Sequence, residues 1–115
     1  MTVTVLSLLK RRPGMSKADF VAYYEDNHRR IGEQVLAGLA TRYVRRFLTP
    51  LDGEDRDGDF DVVMEIDFPD AVARDAFFAG LAGTETLAAI VADEAKLFDR
   101  GRMRSFSVEE RHSCL

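Results

Sequence analysis

The residues best suited to chemistry are His28 and Tyr24. An imidazole is the usual group for moving a proton near neutral pH. His28 falls on an apolar series, Phe20, Tyr24, His28, Ile31 and Val35, whose spacing makes one stripe of a helix. A histidine on that stripe faces the space between helix and core. It is either a proton-transfer group against a ligand cavity or a core histidine bonded to a backbone carbonyl. Tyr24 shares the face. It either aims its hydroxyl at the same cavity or packs in the core with its hydroxyl reaching the surface. Tyr23 is rotated about 100° away and sits at the flank. On the cavity reading, Phe20, Ile31, Tyr43 and Phe98 form the wall against a small hydrophobic molecule.

Other polar groups are weaker candidates. Asp93 and Glu94 are neighbours, so they diverge on a helix and are not a paired-carboxylate site. Asp93 follows Ile90 by one turn and sits at the pocket rim or, more plainly, on a solvated face. Nothing in the pattern says which carboxylate orients His28. Arg42, Arg45 and Arg46 are suited to an anionic substrate, but Arg45 points to the opposite sheet face from the other two. Salt bridges at the sheet face or a subunit boundary are the plainer reading. His28 and His112 are far apart in sequence, with no HxxxH or CxxC spacing, so no structural metal is expected. One helical histidine is a weak sign of haem ligation. The stretch GEDRDG (53–58) is acidic and repels phosphate, and there is no GxSxG. Cys114 lacks a positioned base.

The chain has 115 residues and 12.9 kDa, the size of one domain spanning 1–115. With 46% hydrophobic and 31% charged residues, it has a globular rather than a disordered balance. A net charge of −4 gives no global positive field to recruit nucleic acid or an anionic membrane. One cysteine excludes an internal disulfide framework. No apolar run approaches the ~20 residues of a membrane span. Residues 2–9 are apolar, but Lys10, Arg11 and Arg12 follow them, the reverse of a signal peptide. A soluble cytoplasmic chain is expected.

These elements must position the candidate residues. Residues 2–9 read as a strand apolar on both faces, broken by Pro13-Gly14. Ser16 caps a helix that Asp19 favours and Gly38 stops. Residues 41–48 make a second strand, and 50–58 an acidic loop. Residues 60–67 alternate Phe60, Val62, Met64 and Ile66 against Asp61, Glu65 and Asp67, a half-buried strand. Pro69 suits the first turn of a helix carrying Phe77, Phe78 and Leu81, which Gly83 interrupts. Thr84 caps a further helix through Leu87, Ile90, Val91, Leu97 and Phe98, ending at Gly101. Residues 103–110 form a last strand anchored by Phe106 and Val108, and 110–115 a flexible tail. This order makes an antiparallel sheet with helices on one face. The other face needs cover, and the same face of a second subunit supplies it, giving an isologous homodimer.

The stretch LLKRRPGMSKADFVAYYEDNH (8–28) resembles the opening signature of the EthD family. There, a strand ends in basic residues and Pro-Gly, and a helix follows with Phe, an aromatic pair and a His one turn on. DEAKLFDRGRMRSFSVEE (93–110) resembles the family's closing pattern of an acidic pair, Phe-Asp and a strand running into Glu-Glu. The resemblance implies an α+β ferredoxin-like domain that dimerises into an α+β barrel. It also implies kinship with small enzymes without a bound cofactor: lyases, dehydratases, isomerases, cyclases and oxygenases acting on aromatic or polyketide-like compounds. Relatives often carry Trp where this chain has Tyr24, which changes pocket volume and adds a hydroxyl. The function expected is a cofactor-independent, lyase-like step (dehydration, decarboxylation, cyclisation or isomerisation) with His28 as general acid/base and Tyr24 as hydrogen-bond donor. The alternatives are a non-catalytic barrel that binds a small hydrophobic ligand and a cofactorless monooxygenase.

Overall fold

Strand β1 (Val3–Leu9) runs through the middle of a four-stranded antiparallel sheet in the computed structural model, which describes residues 1–115. The order is β2–β3–β1–β4, with β2 at Arg42–Phe47, β3 at Val62–Phe68 and β4 at Arg104–Ser107. β1 pairs with β3 from Val3↔Phe68 to Leu9↔Val62, and with β4 from Val5↔Ser107 to Leu8↔Arg104. The first crossover is α1 (Lys17–Tyr23), a π-helical turn (Tyr24–His28) and α2 (Arg29–Leu36). The second is α3 (Ala71–Leu81) and α4 (Glu85–Glu94). This is the antiparallel sheet with helices on one face that the element order predicts, in the ferredoxin-like α+β form that the resemblance implies. No single helix is long and apolar enough to cross a membrane.

Residues opposite one another in an antiparallel pair share a face. Val5, Ser7, Leu9, Tyr43, Met64 and Ile66 therefore point to the helix side. Leu6, Leu8, Val44, Val63 and Phe106 point to the other side and join neither core cluster. One cluster gathers Leu9, Phe20, Tyr24, Val62, Leu97 and Phe98, and a second gathers Leu36, Ile66 and Phe68. Only 13 of the 115 residues are buried, because the core is split and one sheet face is open.

The first crossover begins as the sequence predicts: the Ser16 hydroxyl accepts the Asp19 N–H at 3.1 Å, and Gly38 adopts φ +78° beyond the end. Its middle differs from a uniform α-helix. Each four-residue step on an α-helix overshoots a full turn by about 40°, so two in a row would carry His28 about 80° from the line of Phe20. The wide turn, closed by the Arg29 N–H on the Tyr24 carbonyl, takes back much of that rotation. Tyr24 and His28 thus stay on one face.

Four boundaries differ from the sequence reading. β3 begins at Val62, and Asp61 is not on a polar outer face but 1% exposed. Its N–H bonds the Leu9 carbonyl at 2.9 Å, which draws it against Lys10 and Arg11 where β1 ends. Asp61 there meets Lys10 Nζ at 3.7 Å and Arg11 Nη1 at 3.2 Å. Asp70, which by its charge also favours the start of α3, is its cap: the side chain accepts the Ala73 N–H at 2.7 Å, leaving Pro69 ahead of the cap rather than in the first turn. α4 ends at Glu94 rather than running to Gly101, because the backbone of 97–99 is taken by residues 10–12. The Arg12 N–H bonds Leu97 O and the Asp99 N–H bonds Lys10 O, each at 2.8 Å. β4 stops at Ser107, so Val108 lies outside it, and Phe106 anchors nothing within one chain but is exposed on the open face. Residues 108–115 carry no regular element.

Candidate functional site

Between the two core clusters lies a cavity of about 410 Å³. Leu9, Tyr24 and Phe98 of one cluster and Leu36 and Ile66 of the other share its wall. Of its 22 lining residues 17 are hydrophobic, which suits an apolar guest of small-molecule size. The cavity occupies the place a continuous core would fill.

His28 stands on this wall, at the end of the π-helical turn. Its Nδ1 is 2.8 Å from Asp93 Oδ2, while the other Asp93 oxygen accepts the Tyr23 hydroxyl at 2.5 Å. A carboxylate only accepts, so neutral His28 carries its proton on Nδ1 and keeps a lone pair on Nε2. Tyr24 and Phe98 stand edge-on to the imidazole at 5.3 and 5.4 Å and fix its plane. The Tyr23 phenol is pushed up to about 12, first by its bond to Asp93, with burial and the carboxylate charge adding to it. It therefore remains a donor at neutral pH. Asp93 is buried, at 8% exposure, so the solvated-face reading of this residue is overturned. The cause is the packing of α4 on the π-helical turn.

Tyr24 is 1% exposed and its hydroxyl is 3.4 Å from that of Tyr43. Burial raises the titration of both phenols. Tyr43 packs against α2 at Gly32, where a Cβ would come within 2.9 Å of the phenol. Gly32 costs the helix roughly 1 kcal/mol relative to alanine, and this close approach is what the glycine permits. Ile31 and Phe98 also line the cavity. Phe20 does not. It lies one turn before Tyr24, fully buried, edge-on to Tyr24, Phe47 and Phe98, and buttresses the wall instead of forming it.

The EthD domain family model matches residues 12–101. The chain belongs to the EthD family. It is similar in structure to an EthD family protein of Bacillus halodurans, at 17% identity and TM-score 0.68, over 96% of this chain and 100% of that one. It is also similar to a NIPSNAP domain protein of Burkholderia xenovorans, at 17% identity and TM-score 0.62, over 100% and 99%. A third likeness is to a dimeric protein of unknown function with a ferredoxin-like fold from Bacteroides fragilis, at 10% identity and TM-score 0.61, over 95% and 96%. At these identities the likeness is one of fold. No curated protein matches the chain significantly.

The two EthD-like segments meet at the cavity. The opening one supplies Tyr24 and His28 to the wall and the closing one Glu94 and Phe98, while Tyr23 and Asp93 join the two segments by hydrogen bonds beside it. Asp93 and Glu94 diverge as adjacent helical residues do, yet both flank the imidazole. Glu94 is on the cavity wall with no hydrogen-bond or ion-pair partner. Burial raises its carboxyl above the ordinary range, against the opposing pull of His28 and Arg100. A raised carboxyl favours the folded state when protonated and costs stability as pH rises through its folded value. Glu94→Gln is therefore expected to raise Tm more at pH 8 than at pH 4. Calorimetry at the two pH values checks this, and an equal change at both would contradict it.

The arginines behave as the plainer reading expects. Arg46 bonds Glu65 at 2.5 Å and Arg42 reaches Glu65 at 3.4 Å on the open face, whereas Arg45 bonds Glu25 at 2.8 Å on the helix side. No three histidine, cysteine or carboxylate side chains converge as metal ligands would. Ser7 and Ser105, absent from the sequence candidates, place hydroxyls 2.8 Å apart on the cavity wall. Their signal was a lone serine on the inward register of the apolar first strand.

Proposed function

We propose that this EthD-family chain is a small cofactor-independent enzyme that moves a proton on a hydrophobic aromatic or polyketide-like compound, in a lyase-like dehydration, decarboxylation or cyclisation. His28 is the general acid/base, Tyr24 a hydrogen-bond donor, and Ile31, Tyr43 and Phe98 the wall. One observation carries the reading: His28 commits Nδ1 to Asp93 at the wall of a 410 Å³ apolar cavity and leaves Nε2 uncommitted. Nε2 takes a proton from an acidic C–H or O–H. Asp93 offsets the charge that then forms on the ring and holds its orientation. The imidazolium returns the proton to a leaving hydroxyl or to the carbon left by decarboxylation. Apolar walls keep water from competing. The test is deuterium wash-in at the acidic carbon of an aryl ketone such as 1-indanone in D2O. Exchange faster than buffer, lost in His28→Ala, supports the reading. Equal exchange by wild type and variant contradicts it.

A second reading, a non-catalytic barrel sequestering a hydrophobic molecule, is favoured by the predominance of apolar lining. Native mass spectrometry showing a retained, unmodified ligand, together with no turnover of related compounds, would select it.

The open sheet face is proposed to pair with its copy in a homodimer. The chain exposes 7490 Å², against about 6,300 Å² for a folded monomer of this mass. The excess is of the order that each partner buries in a standard interface, about 800 Å². Leu6 and Phe106 lie opposite one another on that face. Phe106→Glu is expected to convert a dimer to a folded monomer, since the side chain is exposed within one chain. Light scattering with circular dichroism checks this. A variant still dimeric would contradict it.

A further inference from the structure

Tyr24 and Tyr43 both line the cavity, and their hydroxyls have only each other as hydrogen-bond partners, at 3.4 Å. Each phenol brings one proton. The pair uses at most one of the two, so at least one O–H has no acceptor in the protein. The shared contact is itself longer than the roughly 2.5–3.0 Å usual for O–H···O. Tyr24 is almost fully buried and Tyr43 half-buried, and the O–H that the pair leaves free is available to a guest of the cavity both residues line. The position is fixed: Gly32 lets the Tyr43 phenol lie against α2, and the Arg45 guanidinium sits 5.0 Å over its ring.

We propose that this hydroxyl pair is the docking point for the carbonyl oxygen of an apolar ketone, and that it carries the charge of that oxygen when His28 removes a proton from the adjacent carbon. This rests on the proton-transfer reading above and names its ligand class. A carbonyl fits better than a carboxylate. The one cation beside the pair, Arg45, is already paired with a carboxylate, its Nε and Nη2 N–H groups bonding Glu25. Glu94 on the same wall also opposes an anion. The Tyr24 ring stands against the His28 ring, so one small molecule can reach both. In the step, the C–H bond breaks and its electrons form the C=C bond. The carbonyl π electrons move to oxygen, and the proton passes to His28 Nε2. Two phenol donors beside that oxygen are worth most once it is charged.

The test compares two fluorescent probes, 6-propionyl-2-dimethylaminonaphthalene and 2-dimethylaminonaphthalene, which differ by the acyl group. Changing both Tyr24→Phe and Tyr43→Phe should weaken the ketone about tenfold and leave the carbonyl-free probe within about twofold, as loss of a buried hydrogen bond does. Each single variant should weaken the ketone less, since one donor remains. The carbonyl stretch of the bound ketone should lie lower in wild type than in the double variant. If the double variant holds the ketone as tightly as wild type, or loses both probes alike, the docking point is wrong, while His28-dependent deuterium exchange can still stand. If wild type binds neither probe, the docking point and the ligand cavity fall together.

Discussion

Alanine at position 28 is expected to lower turnover about 100-fold or more, the low end of what a positioned acid/base contributes. The fold should survive, because His28 lines the cavity, belongs to neither core cluster and makes one side-chain hydrogen bond. Asp93→Asn separates the base from its orientation. The amide can donate to Nδ1, which moves the imidazole proton to Nε2 and removes the lone pair from that nitrogen. Turnover should fall and its pH profile should shift, while Tyr23 keeps an acceptor in the amide oxygen. Turnover of aromatic and polyketide-like compounds, followed by mass spectrometry with the oligomeric state monitored in parallel, checks both variants. Full turnover by His28→Ala would remove the imidazole from the mechanism.

The second large effect is on stability. Asp61 lies under the junction of β1 and β3, facing Lys10, whose side chain is 5% exposed. Asp61→Ala leaves that ammonium buried without its partner, which typically costs about 3–5 kcal/mol. For a domain of this size, Tm should fall by roughly 12–20 °C. Arg11 suffers less, because it also bonds Asp55. The companion change Lys10→Met removes the stranded charge, so the double variant should recover much of the loss. Calorimetry of the single and double variants decides it. A single variant within about 1 kcal/mol of wild type would contradict the role given to this pair.

Asp61 also shows where sequence reading stops. Strict alternation placed it with Glu65 and Asp67 on the polar side of a strand, and the period was right from Val62 onward. Asp61 is instead held by a backbone bond to Leu9, a tertiary contact that no local period encodes. The same holds for the end of α4. Leu97 and Phe98 keep helical spacing, but their backbone is claimed by residues 10–12. By contrast, the Ser16 and Thr84 caps and the glycine stop at Gly38 are local chemistry and were legible. The candidate site was half legible. The helical stripe brought Tyr24 and His28 to one wall, and its successive four-residue steps hold the trace of the π-helical turn that keeps them there. Asp93 was not legible as a partner, because the distance between residues 28 and 93 in the chain is closed only when α4 packs. Phe20 was misplaced for a related reason: a stripe tells which face is inward, not where along it packing gives way to a hollow.

The most direct measurement is the nitrogen spectrum of the imidazole. The chain has two histidines, and His112 lies exposed, so His112→Ala assigns the pair. In 15N-labelled protein with neutral imidazoles, His28 should show a protonated Nδ1 and an unprotonated Nε2. The Nε2 resonance alone should move when 6-propionyl-2-dimethylaminonaphthalene fills the cavity. A proton found on Nε2, or an Nε2 signal indifferent to the bound ketone, would contradict a ring held by Asp93 and facing its ligand.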